Sequence, residues 1–141
     1  MSSPSLPYPV LITGASSGIG LALTRLHLSR GDRVIASCRQ PDTSPLAALA
    51  DQYDRLEPVA VDLSEPLAPA GLAEETSKRT DYLSRVIYCA GVLHDTSRKM
   101  SPEKRLEDLS PENLEYSFRL NAWAPMSVSY THLTLPTICS V

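Results

Sequence analysis

Three glycines, Gly14, Gly18 and Gly20, follow the apolar run at residues 9–13 in the spacing G-x-x-x-G-x-G, just ahead of a segment with helical period. Glycines so placed handle phosphate through the backbone rather than through a reactive side chain. Gly14 is expected to permit the sharp turn off a strand. Gly18 then lets backbone N–H groups approach a pyrophosphate at the helix N-terminus, and Gly20 lets helix and strand pack closely. No Lys-Ser or Lys-Thr follows the last glycine, so the loop is not a P-loop. The competing reading is a tight turn with no ligand.

A second chemical signal lies about 20 residues further on, where dinucleotide folds place an acidic residue against the ribose 2′-OH. Here that place holds Cys38, followed by Arg39. Loss of the carboxylate removes repulsion of a 2′-phosphate, and a guanidinium clasps such a phosphate in a bidentate fork. NADP(H) is therefore favoured, with NAD(H) as the alternative and a solvated loop arginine as the bland reading. A third signal is Asn121, which falls on one helical stripe with Leu114, Phe118, Ala122 and Pro125. Pro125 lacks the N–H that an α-helix would deliver to the carbonyl four residues earlier, which is that of Asn121.

Other chemistry is not indicated. Cys38, Cys89 and Cys139 are widely spaced, as are His27, His94 and His132, so reduced thiols and no metal site are expected. A redox role for Cys89 competes with an inert, buried thiol at a strand end, and the latter is favoured. His94 and the basic run at 97–105 read as a solvated loop. The 141 residues carry a formal charge of −3 with scattered charges, which gives no footprint for nucleic acid or an anionic membrane. No apolar run has membrane-spanning length and the N-terminus lacks signal-peptide features, so a cytoplasmic location is expected.

The elements that would position these groups alternate along the chain. Residues 9–13, 33–38, 57–63 and 84–90 read as strands. Helices are expected after the glycine loop, with Ile19, Leu23 and Leu26 on one face, from Ser44 and Pro45 onward, over 71–80, and from Ser110 and Pro111 onward. Such alternation implies an α/β fold, a doubly wound parallel sheet of Rossmann type with about four strands present. The fourth strand is expected to lie bare at the sheet edge, and the last helix to leave Leu114 and Phe118 without neighbours.

With these residues in place, the sequence resembles the short-chain dehydrogenase/reductase family. Its T-G-x-x-x-G-I-G fingerprint is matched from Thr13 to Gly20. The resemblance implies that Gly14, Ser16, Ser17, Gly18 and Ile19 line the cofactor pyrophosphate, that Asp62 and Leu63 contact adenine, and that Ala90 and Gly91 lie on the ribose side. "YCAG" at 88–91 corresponds to the family's N-N-A-G, with Tyr88 and Cys89 replacing two asparagines. Asn121 stands where the family has the asparagine of its catalytic tetrad, which holds a water in the proton relay. "CAGVLHD", "SPEKRLEDL" and "NAWAP" are most similar to the C-factor and sniffer-type carbonyl reductase branch.

The resemblance covers residues 8–127 and implies an NAD(P)H-dependent oxidoreductase acting on a small carbonyl or alcohol, homo-oligomeric when complete. The alternative is a dinucleotide-binding sensor without chemistry. None of the six tyrosines is followed four residues later by lysine, so the family's Y-x-x-x-K pair is absent from this chain. The segment "VSYTHLTLPT", 128–137, resembles the translation of a transposase adapter end. Residues 1–127 are therefore expected to be an incomplete nucleotide-binding domain, and 128–141 a non-native tail that breaks from the preceding helix.

Overall fold

The computed structural model describes residues 4–133 of the chain. Four strands, β1 (Val10–Thr13), β2 (Val34–Cys38), β3 (Leu56–Ala60) and β4 (Arg85–Tyr88), form one parallel sheet in the order β3-β2-β1-β4. Three α-helices lie between the strands, α1 (Gly18–Ser29), α2 (Pro45–Gln52) and α3 (Ala68–Ser77), and two follow β4, α4 (Pro111–Phe118) and α5 (Ala124–Leu133). The expected α/β doubly wound architecture is the observed one. β1 and β2 are buried throughout because both sheet faces are covered, which is why they read as unbroken apolar runs.

Alternation along the strands divides the core in two. Val10, Ile12, Val34 and Ala36 point toward α1 and α2, where Leu28, Leu46 and Leu49 meet them. Leu11, Ile35 and Val59 point the other way, onto Leu72 of α3 and Ala124 and Val128 of α5. Pro58 sits in β3, a sheet edge, where its missing N–H costs no ladder bond. β4 forms the other edge among the described residues, with Arg85 exposed. The two proline-initiated helices begin as expected: the Ser44 hydroxyl accepts from the Leu46 N–H, and the Ser110 hydroxyl from the Asn113 N–H.

Two helical faces differ from expectation. Ile19 and Leu26 of α1 are exposed; Gly20, Thr24, His27 and Leu28 face the sheet, and Leu23 packs at its margin. The cause is steric, since Gly20 lies against the Gly14 carbonyl and sets the rotation of the helix. The last helix is also not one α-helix. A π turn (Arg119–Trp123) separates α4 from α5, and α5 continues without a break through Leu133. Val128 and His132 are buried, while Ser129 and Tyr130 between them are exposed, so the helix keeps one face on the core past residue 127. The remainder of the expected tail, 134–141, and Cys139 lie outside the described residues. Leu114 and Phe118 are exposed, as expected.

A buried polar pair closes the turn from α1 into β2. His27 Nδ1 and Asp32 Oδ2 are 2.7 Å apart, and Asp32 Oδ1 accepts from the Leu6 N–H at 2.7 Å. Burial pushes the Asp32 carboxyl up, but the His27 hydrogen bond, the Leu6 amide and the His27 and Arg30 charges outweigh it, and the net direction is down from 3.8. A depressed folded-state pKa gives stability that is present above the unfolded-state value and lost as pH falls through the folded one. Unfolding temperature is thus expected to drop below about pH 4. Asp32→Asn should flatten that acid limb while costing about 1–3 kcal/mol at neutral pH, because His27 and Leu6 lose a charged acceptor. Thermal melts across pH check it; an unchanged acid limb in the variant overturns the assignment.

Candidate functional site

A cleft of about 510 Å³ opens at the carboxyl ends of the strands, between the loops after β1, β2, β3 and β4. Because β1 lies between β2 and β4, the chain leaves it in opposite directions on either side. This is the switch point at which open α/β sheets bind ligands. The glycine loop forms the cleft floor. Gly14 has φ +62°, and a Cβ there would lie 2.6 Å from the Ala90 nitrogen. That close approach to β4's end was not legible in the spacing, which showed only a need for a turn. Gly18 has φ +52° and open space where a Cβ would be, and a Cβ on Gly20 would lie 2.1 Å from the Gly14 oxygen. Ser17 is the N-cap of α1 but its side chain makes no capping bond. The first-turn N–H groups, which have no intrahelical acceptor, belong to Gly18, Ile19 and Gly20, all of which line the cleft.

The predicted site residues converge there, with one exception. Gly14, Ser16, Ser17, Gly18 and Ile19 line the floor, and Arg39 stands over one end. Ile19 is 74% exposed, a cleft-facing side chain instead of a core one. Arg39 has no ion pair among the described residues, whereas Cys38 beside it is buried with its thiol toward the Ser44 hydroxyl. Asp62 and Leu63 border the same end, the Asp62 carboxylate accepting from the Ser64 amide at 3.0 Å and its hydroxyl at 2.7 Å. Ala90 and Gly91 form the opposite wall. Asn121 does not line the cleft but stands behind that wall. Its Oδ1 accepts from the Val92 N–H at 2.7 Å, and its Nδ2 donates to the Val92 carbonyl at 2.6 Å and to the Ser117 hydroxyl at 3.2 Å.

Pro125 follows a helix that has left α register. In the π turn the Ala124 N–H donates to Arg119, five residues back. The next carbonyl, that of Leu120, accepts instead from the Tyr88 hydroxyl at 2.7 Å. Two side chains brace the segment after β4. The Thr13 hydroxyl accepts from Cys89 N–H at 3.1 Å and Ala90 N–H at 3.4 Å, and Tyr88 reaches the helix. Cys89 is half-buried and borders the cleft, and burial pushes its thiol up, away from thiolate character at neutral pH.

Several contributors gave no signal in the sequence. The Ser37 hydroxyl is fully buried at the cleft base and has no hydrogen-bond partner among the described residues. Tyr116 of α4 closes the far end, donating to Asp95 Oδ2 at 3.2 Å beneath the Arg98 guanidinium, 4.0 Å from its ring centre. Burial and the Asp95 charge raise the Tyr116 phenol, against the Arg98 and Arg39 charges. The loop at 94–100 that carries Asp95 is otherwise solvated as expected, with Met100 buried beneath it and His94 at the cleft edge. Among the described residues no group of three His, Cys, Asp or Glu could hold a metal, and no helix is long and apolar enough to cross a membrane.

The family model described as short chain dehydrogenase matches residues 9–137, past residue 127 where the sequence resemblance was placed to end. The chain belongs to this family. It is 33% identical over 124 residues to the short-chain dehydrogenase RED3 of Pyricularia oryzae, a match covering 84% of this chain and 47% of that protein. A solved carbonyl reductase from Pseudomonas aeruginosa PAO1 superposes with a TM-score of 0.76 at 32% identity, covering 91% of this chain and 56% of that one. The same reductase in complex with NADP gives a TM-score of 0.76 at 32% identity, over 91% and 53%. The chain thus spans about half the length of these relatives.

Proposed function

We propose that this cleft binds a nicotinamide dinucleotide, NADP(H) in preference to NAD(H), as the cofactor half of a short-chain oxidoreductase acting on a small carbonyl or alcohol. The observation that carries the reading is the uncapped α1 N-terminus with open space at Gly18, lining the same cleft as the orphaned Ser37 hydroxyl. A buried hydroxyl without a partner and a row of N–H donors are what a polar, anionic ligand would satisfy. The likeness to an NADP-bound carbonyl reductase supports the same ligand class.

In this reading Gly14, Ser16, Ser17, Gly18 and Ile19 hold the pyrophosphate and Arg39 the 2′-phosphate. Asp62 and Leu63 border the adenine, and Ala90 and Gly91 lie on the ribose side. Asn121 is the catalytic-tetrad asparagine and acts behind the Gly91 wall. When bound, the cofactor supplies hydride; the chain's own residues bind and orient it. A non-catalytic dinucleotide sensor is the second reading, and a native coding sequence without Y-x-x-x-K downstream of Asn121 would favour it. A Y-x-x-x-K pair in the coding sequence downstream of Asn121 would decide for the enzyme.

Titration with NADPH and NADH tests the assignment. Arg39→Ala should weaken NADPH binding by about 1.5–3 kcal/mol, the value of a hydrogen bond to a charged group, and leave NADH binding nearly unchanged. Equal losses for both cofactors would refute the 2′-phosphate role, and saturable binding of neither would refute the reading itself.

A further inference from the structure

We propose that Tyr88 is a positioning residue for Asn121. Its phenol replaces the backbone N–H that Pro125 lacks, and so holds the π turn in the register that keeps the Asn121 amide on Val92. The inference deepens the functional reading above and rests on it only for its effect on cofactor binding.

The hydrogen-bond count through the turn leads to it. In an α-helix the Leu120 carbonyl would take the Ala124 N–H. Here that N–H goes to Arg119. A continuing π register would offer Leu120 the N–H of residue 125, but residue 125 is proline. Both backbone donors within reach of the Leu120 carbonyl are therefore gone. A carbonyl partly shielded from water and left unpaired is costly, and such groups find side-chain partners. The Tyr88 hydroxyl donates to it at 2.7 Å from the end of β4. Burial pushes that phenol up to about 12, so it is a donor at neutral pH.

The consequence reaches the cleft through a short closed circuit. Tyr88 binds Leu120, and the next helical residue, Asn121, binds both backbone groups of Val92. Between Tyr88 and Val92 lie Cys89, Ala90 and Gly91, the cleft wall, tied from behind by the Thr13 hydroxyl. The Asn121 oxygen sits so close that a Cβ on Gly91 would be 3.3 Å from it. Releasing Leu120 from Tyr88 frees the turn to slip toward α-helical register, with Ala124 N–H returning to Leu120. That slip rotates Asn121 away from Val92 and loosens the wall.

A double-mutant cycle on the full chain separates this role from simple packing, because phenylalanine keeps the ring. Tyr88→Phe, Pro125→Ala and the double variant are compared by amide hydrogen exchange at 89–92 and by NADPH titration. Tyr88→Phe alone is expected to speed exchange of the Val92 amide about tenfold and to weaken NADPH binding several-fold. With Pro125→Ala present a backbone donor is restored to the turn, and Tyr88→Phe should then change either quantity less than twofold. An effect of equal size in both backgrounds, or no effect on Val92 exchange in either, overturns the proposal. Should Tyr88→Phe fail to fold while the double variant folds, that rescue is itself the expected result; failure of both overturns it. If the unsubstituted chain binds no NADPH, the cofactor reading fails, yet the exchange cycle still decides the role of Tyr88.

Discussion

A Gly20→Ala variant is expected to lose both NADPH binding and much of its stability, the largest effect of any single methyl group in this chain. The added Cβ would lie 2.1 Å from the Gly14 oxygen, 2.8 Å from the Gly14 carbonyl carbon and 3.1 Å from the Ala15 Cα. All three obstacles are backbone, so no rotamer change relieves them. Either α1 withdraws from the sheet, unpacking Thr24, His27 and Leu28, or the glycine loop deforms and the N–H row is misdirected. Overpacking of a close-packed core usually costs about 1–3 kcal/mol, and a rigid obstacle places this case at or above the upper end. Gly71→Ala is the matched control. It lies within α3 with nothing within 4 Å of its added Cβ, and should stabilise by about 0.5–1 kcal/mol through helix propensity alone. Soluble yield and thermal unfolding of the two variants check the pair; a Gly20→Ala melt as high as that of the unsubstituted chain would show that the contact is not what seats the helix.

The second large effect is an absence of turnover. Residues 1–141 are expected to reduce no ketone or aldehyde at the expense of NADPH, even where NADPH binds. Delivering hydride to a carbonyl requires an acid for the developing alkoxide, and positioned general acid catalysis contributes about 10²–10⁴-fold. Two tyrosines stand near the cleft, and both phenols are already committed. Tyr88 donates its one proton to Leu120 and is pushed up to about 12 by burial. Tyr116 donates to Asp95, and burial with that carboxylate's charge raises it as well. A phenol held above its ordinary value is a weaker acid, the reverse of what the step needs, and no lysine follows either at the fourth residue to lower it. Loss of NADPH absorbance with any aldehyde or ketone, above a control without protein, would overturn the expectation.

How much of this was legible beforehand differs between fold and site. The α/β order, the four strands and the caps at Ser44 and Ser110 are short-range properties: periodicity, β-branched runs and a hydroxyl ahead of proline act within a few residues. The places of the glycine loop and Arg39 at the cleft are legible for the same reason, since each directly follows a strand. The rotation of α1 was not. Hydrophobicity favoured Ile19 and Leu26 on the buried face, and the contact of Gly20 with the Gly14 carbonyl overrode it, because a missing side chain leaves no trace in an apolar pattern.

The sequence alone determined that a strand ends in a glycine-rich turn, that the end of the second strand carries Cys38 and Arg39 in place of a carboxylate, and that Pro125 follows Asn121 by four residues in the last helix. Only the tertiary structure decided what that proline does. Counting by fours assigned the orphaned carbonyl to Asn121, whereas the π turn moved a vacancy to Leu120 and brought Tyr88, 32 residues away, to fill it. It likewise decided that Ser37 is left buried without a partner, and that Asn121 holds the cleft wall from behind. The physical reason is common to all three. A hydrogen bond between distant segments depends on where the sheet order places them, and neither residue carries that distance in its own neighbourhood.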